Sequence, residues 1–411
     1  MKYGCIGEHL SHSFSKEVHN LLADYPYEIR EIAREKLDEF MLERDFLGIN
    51  VTIPYKEAVI PHLYSIDDAA RRIGAVNTIV NRDGLLYGYN TDFYGMSKLI
   101  SRVGVEISGR CVAILGTGGT AKTARAVCEA LGAGEIISVS RYARGESINY
   151  SEFEIIGDRV DVIINTTPVG MYPDVWISPV SLENFPKLSG VIDAIYNPLR
   201  SMLVLSAKER GIAAEGGLYM LVAQAVRACE IFLDKEFPET ILESVYERTL
   251  KSKENIVLIG MPASGKSTIG GILATALGRE LIDTDELVTN IAGMEIPEIF
   301  AAKGEAEFRD IETSAVLEAS KRTQLVIATG GGAILRRENV RTLRANGRLF
   351  FLDRPLDMLI PTDDRPLANS LDAIKTRYEE RYPIYSEVAD ERIDGSIAAE
   401  EIAEIIGEKY R

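Results

Sequence analysis

The chain has 411 residues and a formal charge of −16 at neutral pH, with 46% hydrophobic and 26% charged residues. Such a length calls for two to four cores at roughly 100–200 residues each, and the composition is that of ordinary globular protein. The acidic balance without any block of Lys or Arg argues against nucleic acid as a partner. The absence of a leader-like amino terminus or an apolar run of about 18 residues argues against secretion and membrane spanning.

Strand-like apolar runs alternate with helical patterns along the whole chain. In the first part they fall at Lys2–Ile6, Gly48–Ile53, Cys111–Leu115, Glu135–Ser140, Val160–Asn165 and Gly190–Asp193. A second series follows at Asn255–Gly260, Glu280–Ile282, Leu325–Ala328 and Arg348–Leu352. This alternation predicts an α/β protein with parallel sheets. The polar stretch Thr249–Glu254 between the two series reads as a linker. Cys5, Cys111, Cys128 and Cys229 form no Cys-x-x-Cys pair and no metal-ligand spacing. Reduced core thiols in a cytoplasmic protein are expected.

The run CVAILGTGGTAKTARAVCEALGA is an apolar strand, a glycine-rich turn and a helix. Gly116-x-Gly118-x-x-Ala121 thus sits where a dinucleotide fingerprint belongs: Gly116 permits the tight turn and Gly118 lets backbone approach a pyrophosphate. A glycine-rich turn with no nucleotide is the competing reading. The next strand ends at Ser140-Arg141-Tyr142, not at the acidic residue that suits a ribose hydroxyl. A guanidinium at Arg141 suits a 2′-phosphate, so NADP(H) is favoured over NAD, with Arg144 a helper or a solvated loop charge.

Several further motifs flank this segment: Ser11-His12-Ser13-Phe14-Ser15, Asn50-Val51-Thr52-Ile53-Pro54-Tyr55-Lys56, Gly74–Thr78, Gly88–Asp92, Asn165–Met171, Tyr196–Leu199 and Gly217–Gln224. In this order they resemble the shikimate dehydrogenases over nearly all of residues 1–250. The resemblance implies a substrate domain at 1–101 completed by 216–250, and an NADP-binding Rossmann domain at 102–215. It implies that Ser13 and Ser15 bind the substrate carboxylate, that Lys56 handles the proton of the reacting oxygen, and that Asp92 orients it. Asn50, Thr52, Asn77 and Gln224 would take the remaining substrate groups, while Gly119, Asn165, Thr166, Met171 and Gly217 would border the cofactor. Ser140 and Tyr142 depart from the Asn-Arg-Thr of many members. His9, His12, His19 and His62 read as loop or packing residues.

From Asn255 a strand leads into Gly260-Met-Pro-Ala263-Ser264-Gly265-Lys266-Ser267-Thr268 and a helix, a full P-loop in its proper setting. Its backbone N–H groups cradle phosphate oxygens, Lys266 sits on the terminal phosphates and Ser267 reaches Mg²⁺, so ATP with Mg²⁺ is the expected cofactor. The residues that follow are Asp283-Thr284-Asp285, Ile299-Phe300, Gly304-Glu305, Phe308-Arg309, Glu312, Gly330-Gly331-Gly332, Asp364-Arg365-Pro366-Leu367 and Arg381-Tyr-Pro-Ile-Tyr385. They resemble shikimate kinases over 255–411, a P-loop α/β domain with a central parallel sheet. The resemblance implies Asp283 supporting Mg²⁺, Asp285 gripping the acceptor hydroxyl, and Arg309 and Arg381 holding the carboxylate. Gly331 and Gly332 would face the ring, and Arg365 would stabilise charge from a lid. The short acidic stretch Asp357–Asp364 and Thr289 depart from many relatives.

Together the two resemblances imply consecutive reactions, 3-dehydroshikimate to shikimate and shikimate to shikimate 3-phosphate, with small-molecule substrates as partners and the oligomeric state left open. A dehydrogenase that also accepts quinate is the nearest alternative. A non-catalytic sensor of the same ligands is an alternative of another class.

Overall fold

The computed structural model describes residues 1–10, 14–359 and 371–411; the expected site residues Ser13 and Arg365 lie outside the described residues. The chain divides into two compact units, Met1–Asn197 with Ser206–Leu250, and Pro198–Leu205 with Lys251–Arg411. Among the described residues no helix is long and apolar enough to cross a membrane.

The first unit holds two sheets. One is built from β1 (Tyr3–Gly7), β2 (Tyr27–Glu31), β3 (Gly48–Val51), β4 (Ser65–Ile66), β5 (Thr78–Arg82) and β6 (Leu85–Tyr89), in the order β2-β1-β3-β5-β6-β4. It is mixed: the expected parallel pairing joins β1 to β2 and β3, whereas β5 runs antiparallel to both β3 and β6. The cause is local. Asp83 and Gly84 take φ of 52° and 85°, the backbone of a two-residue hairpin turn, and the Asp-Gly pair is the sequence signal for it.

The second sheet is wholly parallel: β7 (Cys111–Leu115), β8 (Glu135–Val139), β9 (Val162–Asn165), β10 (Gly190–Asp193) and β11 (Ala213–Glu215) stand in the order β11-β10-β9-β7-β8. Every residue of β7 is buried, as a strand covered by helices on both faces requires, and this explains its unbroken apolar run. The helices Thr91–Val103 and Leu218–Leu233 pack against each other and carry site residues at their starts.

The second unit has one parallel sheet, β12 (Asn255–Ile259), β13 (Glu280–Asp283), β14 (Leu325–Ala328), β15 (Gly347–Asp353) and β16 (Glu391–Asp394), in the order β13-β14-β12-β15-β16. The P-loop follows its central strand. The boundary between the two units falls at Leu250–Lys251, inside the segment expected to be a linker, and this segment is helical through Lys253, with Thr249, Lys253 and Glu254 buried. Arg279 donates to the carbonyls of Lys251 (2.7 Å) and Glu254 (2.6 Å), satisfying backbone that the helix end leaves unpaired. Thr249 Oγ1 donates to the Val245 carbonyl and Glu254 accepts from Arg200, while Ser252 stays exposed.

Candidate active sites

In the first unit a cavity of about 360 Å³ is lined by Ser15, Asn50, Thr52, Lys56, Asn77, Asp92, Met171 and Gln224. It has the size of a small-ligand pocket. Lys56 Nζ donates to Asp92 Oδ2 at 2.5 Å, with the two side chains only 23% and 11% exposed. Asp92 lies in the first turn of the Thr91–Val103 helix, which Asn90 caps by accepting from the Phe93 N–H. Asn90 therefore shapes the turn that aims Asp92. Asn77 is buried: its Oδ1 accepts from the Thr91 N–H at 2.7 Å and its Nδ2 donates to Gln224 Oε1 at 3.2 Å, joining three distant segments at the pocket wall. Ser15 opens the Ser15–Leu22 helix, whose first N–H groups favour an anion.

At the carboxyl end of β7, Gly116 turns the chain with φ 108°, and Gly118 precedes the Gly119–Ala130 helix. A methyl on Gly118 or Gly119 would meet nothing within 4 Å, so their backbone is open to a ligand. The backbone thus fits a pyrophosphate at a helix amino terminus. Ala121 is buried in the helix–sheet contact. Arg141 is exposed beyond β8, the neighbour of β7, and Ser140 Oγ donates to the Tyr142 carbonyl at 2.6 Å, holding the loop that carries it. Thr166 Oγ1 donates to the Leu115 carbonyl beside Gly116. Asn165 is fully buried and its amide is taken by Asp193 and Thr167, so its side chain builds the loop and does not face a ligand. Gly217 packs against the Ala194 carbonyl, where a methyl would sit 2.1 Å away.

The second unit has a cavity of about 740 Å³ running from the P-loop to Asp285, Arg309, Gly331, Gly332 and Arg381. Gly260 (φ 153°), Ala263 (φ 64°) and Gly265 (φ 88°) wind the loop so that the Lys266–Leu277 helix starts beneath it. Ser264 is buried, Thr268 lines the cavity, and Lys266 Nζ donates to the carbonyls of Gly260 and Met261 at 2.9 and 2.8 Å. Ser267 Oγ donates to Asp283 Oδ2 at 2.6 Å, while Asp283 Oδ1 accepts from the Asp285 N–H and thereby caps the helix bearing Asp285. Among the described residues no three His, Cys, Asp or Glu side chains form a metal cage. A Ser–Asp pair at a P-loop suits Mg²⁺, which keeps water and phosphate ligands and takes few from protein.

At the other end, Arg309 Nη1 donates to Glu312 Oε2 at 2.7 Å and Arg381 Nη1 to the Gly331 carbonyl at 2.9 Å. Burial lowers the Arg381 pKa, with nearby Arg309 and Arg377 adding to the fall. Burial likewise pushes the Glu312 carboxyl above its usual range, against the pull of Arg309. Desolvated guanidiniums crowded together favour an anionic ligand between them. Residue-type reasoning assigned no role to Glu312, Arg377, Tyr196 or His19, yet all four line the cavities. Glu312 and Arg377 could have been found as residues one helical turn from Arg309 and Arg381.

These two sites define the class: an enzyme that joins a nicotinamide-nucleotide oxidoreductase to a P-loop kinase of small molecules. A family model for the shikimate dehydrogenase substrate binding domain matches residues 5–79, and one for shikimate kinase matches 262–411. A shikimate dehydrogenase (NADP(+)) of Clostridium beijerinckii is 37% identical over 259 residues, covering 59% of this chain and 96% of that protein. One from Methanosphaera stadtmanae is 34% identical over 258 residues, covering 56% and 91%. Among solved structures, a chorismate mutase/shikimate 5-dehydrogenase fusion protein from Clostridium acetobutylicum is 38% identical with a TM-score of 0.56, covering 60% of this chain and 95% of that one. The shikimate 5-dehydrogenase of Thermus thermophilus, in complex with NADP(H) and shikimate, is 26% identical with a TM-score of 0.55, covering 61% and 99%. The chain belongs to the shikimate dehydrogenase family and carries a shikimate kinase domain after it.

Proposed function

We propose that the protein catalyses two successive steps of the shikimate pathway: NADPH-dependent reduction of 3-dehydroshikimate to shikimate, then ATP- and Mg²⁺-dependent phosphorylation of shikimate to shikimate 3-phosphate. The observation that carries the first step is the close Lys56–Asp92 pair on the wall of a cavity sized for one ring acid. NADPH on the Gly116–Gly119 turn supplies the hydride. Lys56 donates a proton to the carbonyl oxygen as that oxygen gains charge, and Asp92 holds the ammonium in line while accepting from a ring hydroxyl. Asn77 and Gln224, tied to each other, present amide groups to the other hydroxyls, with Asn50 and Thr52 beside them. Ser15, together with Ser13, holds the carboxylate. Arg141 selects the 2′-phosphate.

In the kinase step ATP with Mg²⁺ supplies the phosphoryl group. Asp285 takes the proton of the acceptor hydroxyl, and Arg309 and Arg381 fix the carboxylate at the far wall so that this hydroxyl points toward the P-loop. Gly331 and Gly332 let the ring lie close to backbone, Lys266 offsets phosphate charge, and Arg365 adds to it. Ser267 and Asp283 support Mg²⁺. Supplying 3-dehydroshikimate, NADPH, ATP and Mg²⁺ together tests the reading: shikimate 3-phosphate should form, and NADPH oxidation without it would leave only the first half standing.

A further inference from the structure

His19 belongs to neither proton relay, yet it is 1% exposed and lines the first cavity one helical turn from Ser15. Its ring stacks on Tyr27, with centroids 3.9 Å apart and planes within 9°. Nδ1 lies 2.8 Å from the Tyr25 hydroxyl, whose own hydrogen is directed at Cys229 Sγ (3.3 Å). The imidazole is also hydrogen-bonded to the side chain of Asn50. Asn50 accepts from the Tyr27 hydroxyl at 2.7 Å and donates to Thr78 Oγ1 at 3.0 Å. The result is a closed set, Tyr25–His19–Asn50–Tyr27, in which the two stacked rings grip the same amide.

We infer that His19 is a positioning residue of the dehydrogenase, holding Asn50 in the one orientation that presents its amide to the ring acid. The inference rests on the first reaction proposed above. Burial is the main influence on the imidazole and lowers its pKa to about 3, so it stays an uncharged clamp at any pH where the enzyme works. Rigid support of this kind is what a polar pocket wall needs, because an amide free to rotate loses its preference for one hydroxyl arrangement.

The test uses the full chain with His19→Phe, which keeps an aromatic ring over Tyr27 but removes both hydrogen bonds, and His19→Gln, which restores hydrogen-bonding groups without the ring. The KM for 3-dehydroshikimate should rise about 10–100-fold in His19→Phe, the usual consequence of one buried polar group left unpaired. The KM for NADPH should stay within about twofold, and His19→Gln should recover most of the loss. Denaturant titration of each variant reports whether the first unit, which holds His19, remains folded. An unchanged KM in His19→Phe, or equal rises for both substrates in both variants, overturns the inference and leaves His19 a packing residue. A wild type inactive on 3-dehydroshikimate would instead remove the functional reading beneath it.

Discussion

Gly332→Ala is the substitution that the kinase site should tolerate least for its size. Gly332 has φ −106°, which any residue adopts, so the backbone does not object to alanine. The obstacle is space. A methyl there would lie 2.0 Å from Arg309 Nη1, 2.6 Å from Cζ and 2.7 Å from Nη2. Restoring ordinary contact at ~3.5 Å requires the guanidinium to shift by roughly 1.5 Å. Arg309 cannot yield freely, because Nη1 is bound to a Glu312 carboxylate that is 1% exposed and Nη2 to Glu305. Losing a hydrogen bond of this charged kind costs about 1.5–3 kcal/mol. The same shift takes the carboxylate clamp off its target. KM for shikimate should therefore rise about 10–100-fold, at roughly 1.4 kcal/mol per decade, while KM for ATP stays within about twofold. Gly271→Ala is the control: it sits inside the Lys266–Leu277 helix with nothing within 4 Å of the added methyl. It should leave both constants alone and stabilise by about 0.5–1 kcal/mol. Steady-state kinetics on the two variants decide the matter. An unchanged shikimate KM in Gly332→Ala would refute Arg309 as the carboxylate holder, and a selective rise in the ATP KM would give the glycine loop to the nucleotide.

Lys56→Ala should lower kcat of the reduction by about 10²–10⁴ with the kinase rate unaffected; a defect confined to KM would mean that Lys56 binds without transferring the proton. Asp285→Asn should nearly abolish phosphoryl transfer while ATP affinity, measured by titration, stays close to wild type. Arg141→Asp should weaken NADPH far more than NADH, and a wild type that uses NADH equally well would contradict the role given to Arg141. Acid should destabilise the first unit through His19, whose ordinary pKa of 6.5 falls to about 3 on folding. Below pH 6.5 the unfolded chain gains a proton that the folded chain refuses, so stability is complete above that pH and drains away as pH falls toward 3. The slope is about 1.4 kcal/mol per pH unit, or roughly 2 kcal/mol by about pH 5. Denaturant titrations of wild type and His19→Phe at neutral pH and at about pH 5 should show the loss in the first and a smaller one in the second.

Much of this molecule was legible because its signals are local. A strand, a glycine turn and a helix occupy consecutive residues at Cys111–Ala130 and again at Asn255–Leu277, so the order of residue types alone announces both nucleotide turns. Other local features emerge only in the fold. Asp83-Gly84 closes a hairpin that makes the first sheet mixed, and the polar run Thr249–Glu254 is a capped helix end. The resemblance places Asn165 beside the cofactor, whereas its amide is turned inward to Asp193.

The sequence by itself determined the covalent order of the motifs, the two nucleotide turns, the types of acid, base and cation available, and the family to which that order belongs. Only the tertiary structure decided which of these groups meet. Lys56 and Asp92 are 36 residues apart, Asn77 and Gln224 are 147 apart, and each pair touches because strands and helices converge on one cavity. The clash awaiting a methyl at Gly332 and the uncharged state of His19 are equally out of reach of a string of letters. Both depend on the distance and dielectric between residues that the chain brings together from far along its length, and pair electrostatics and steric contact vary steeply with those two quantities.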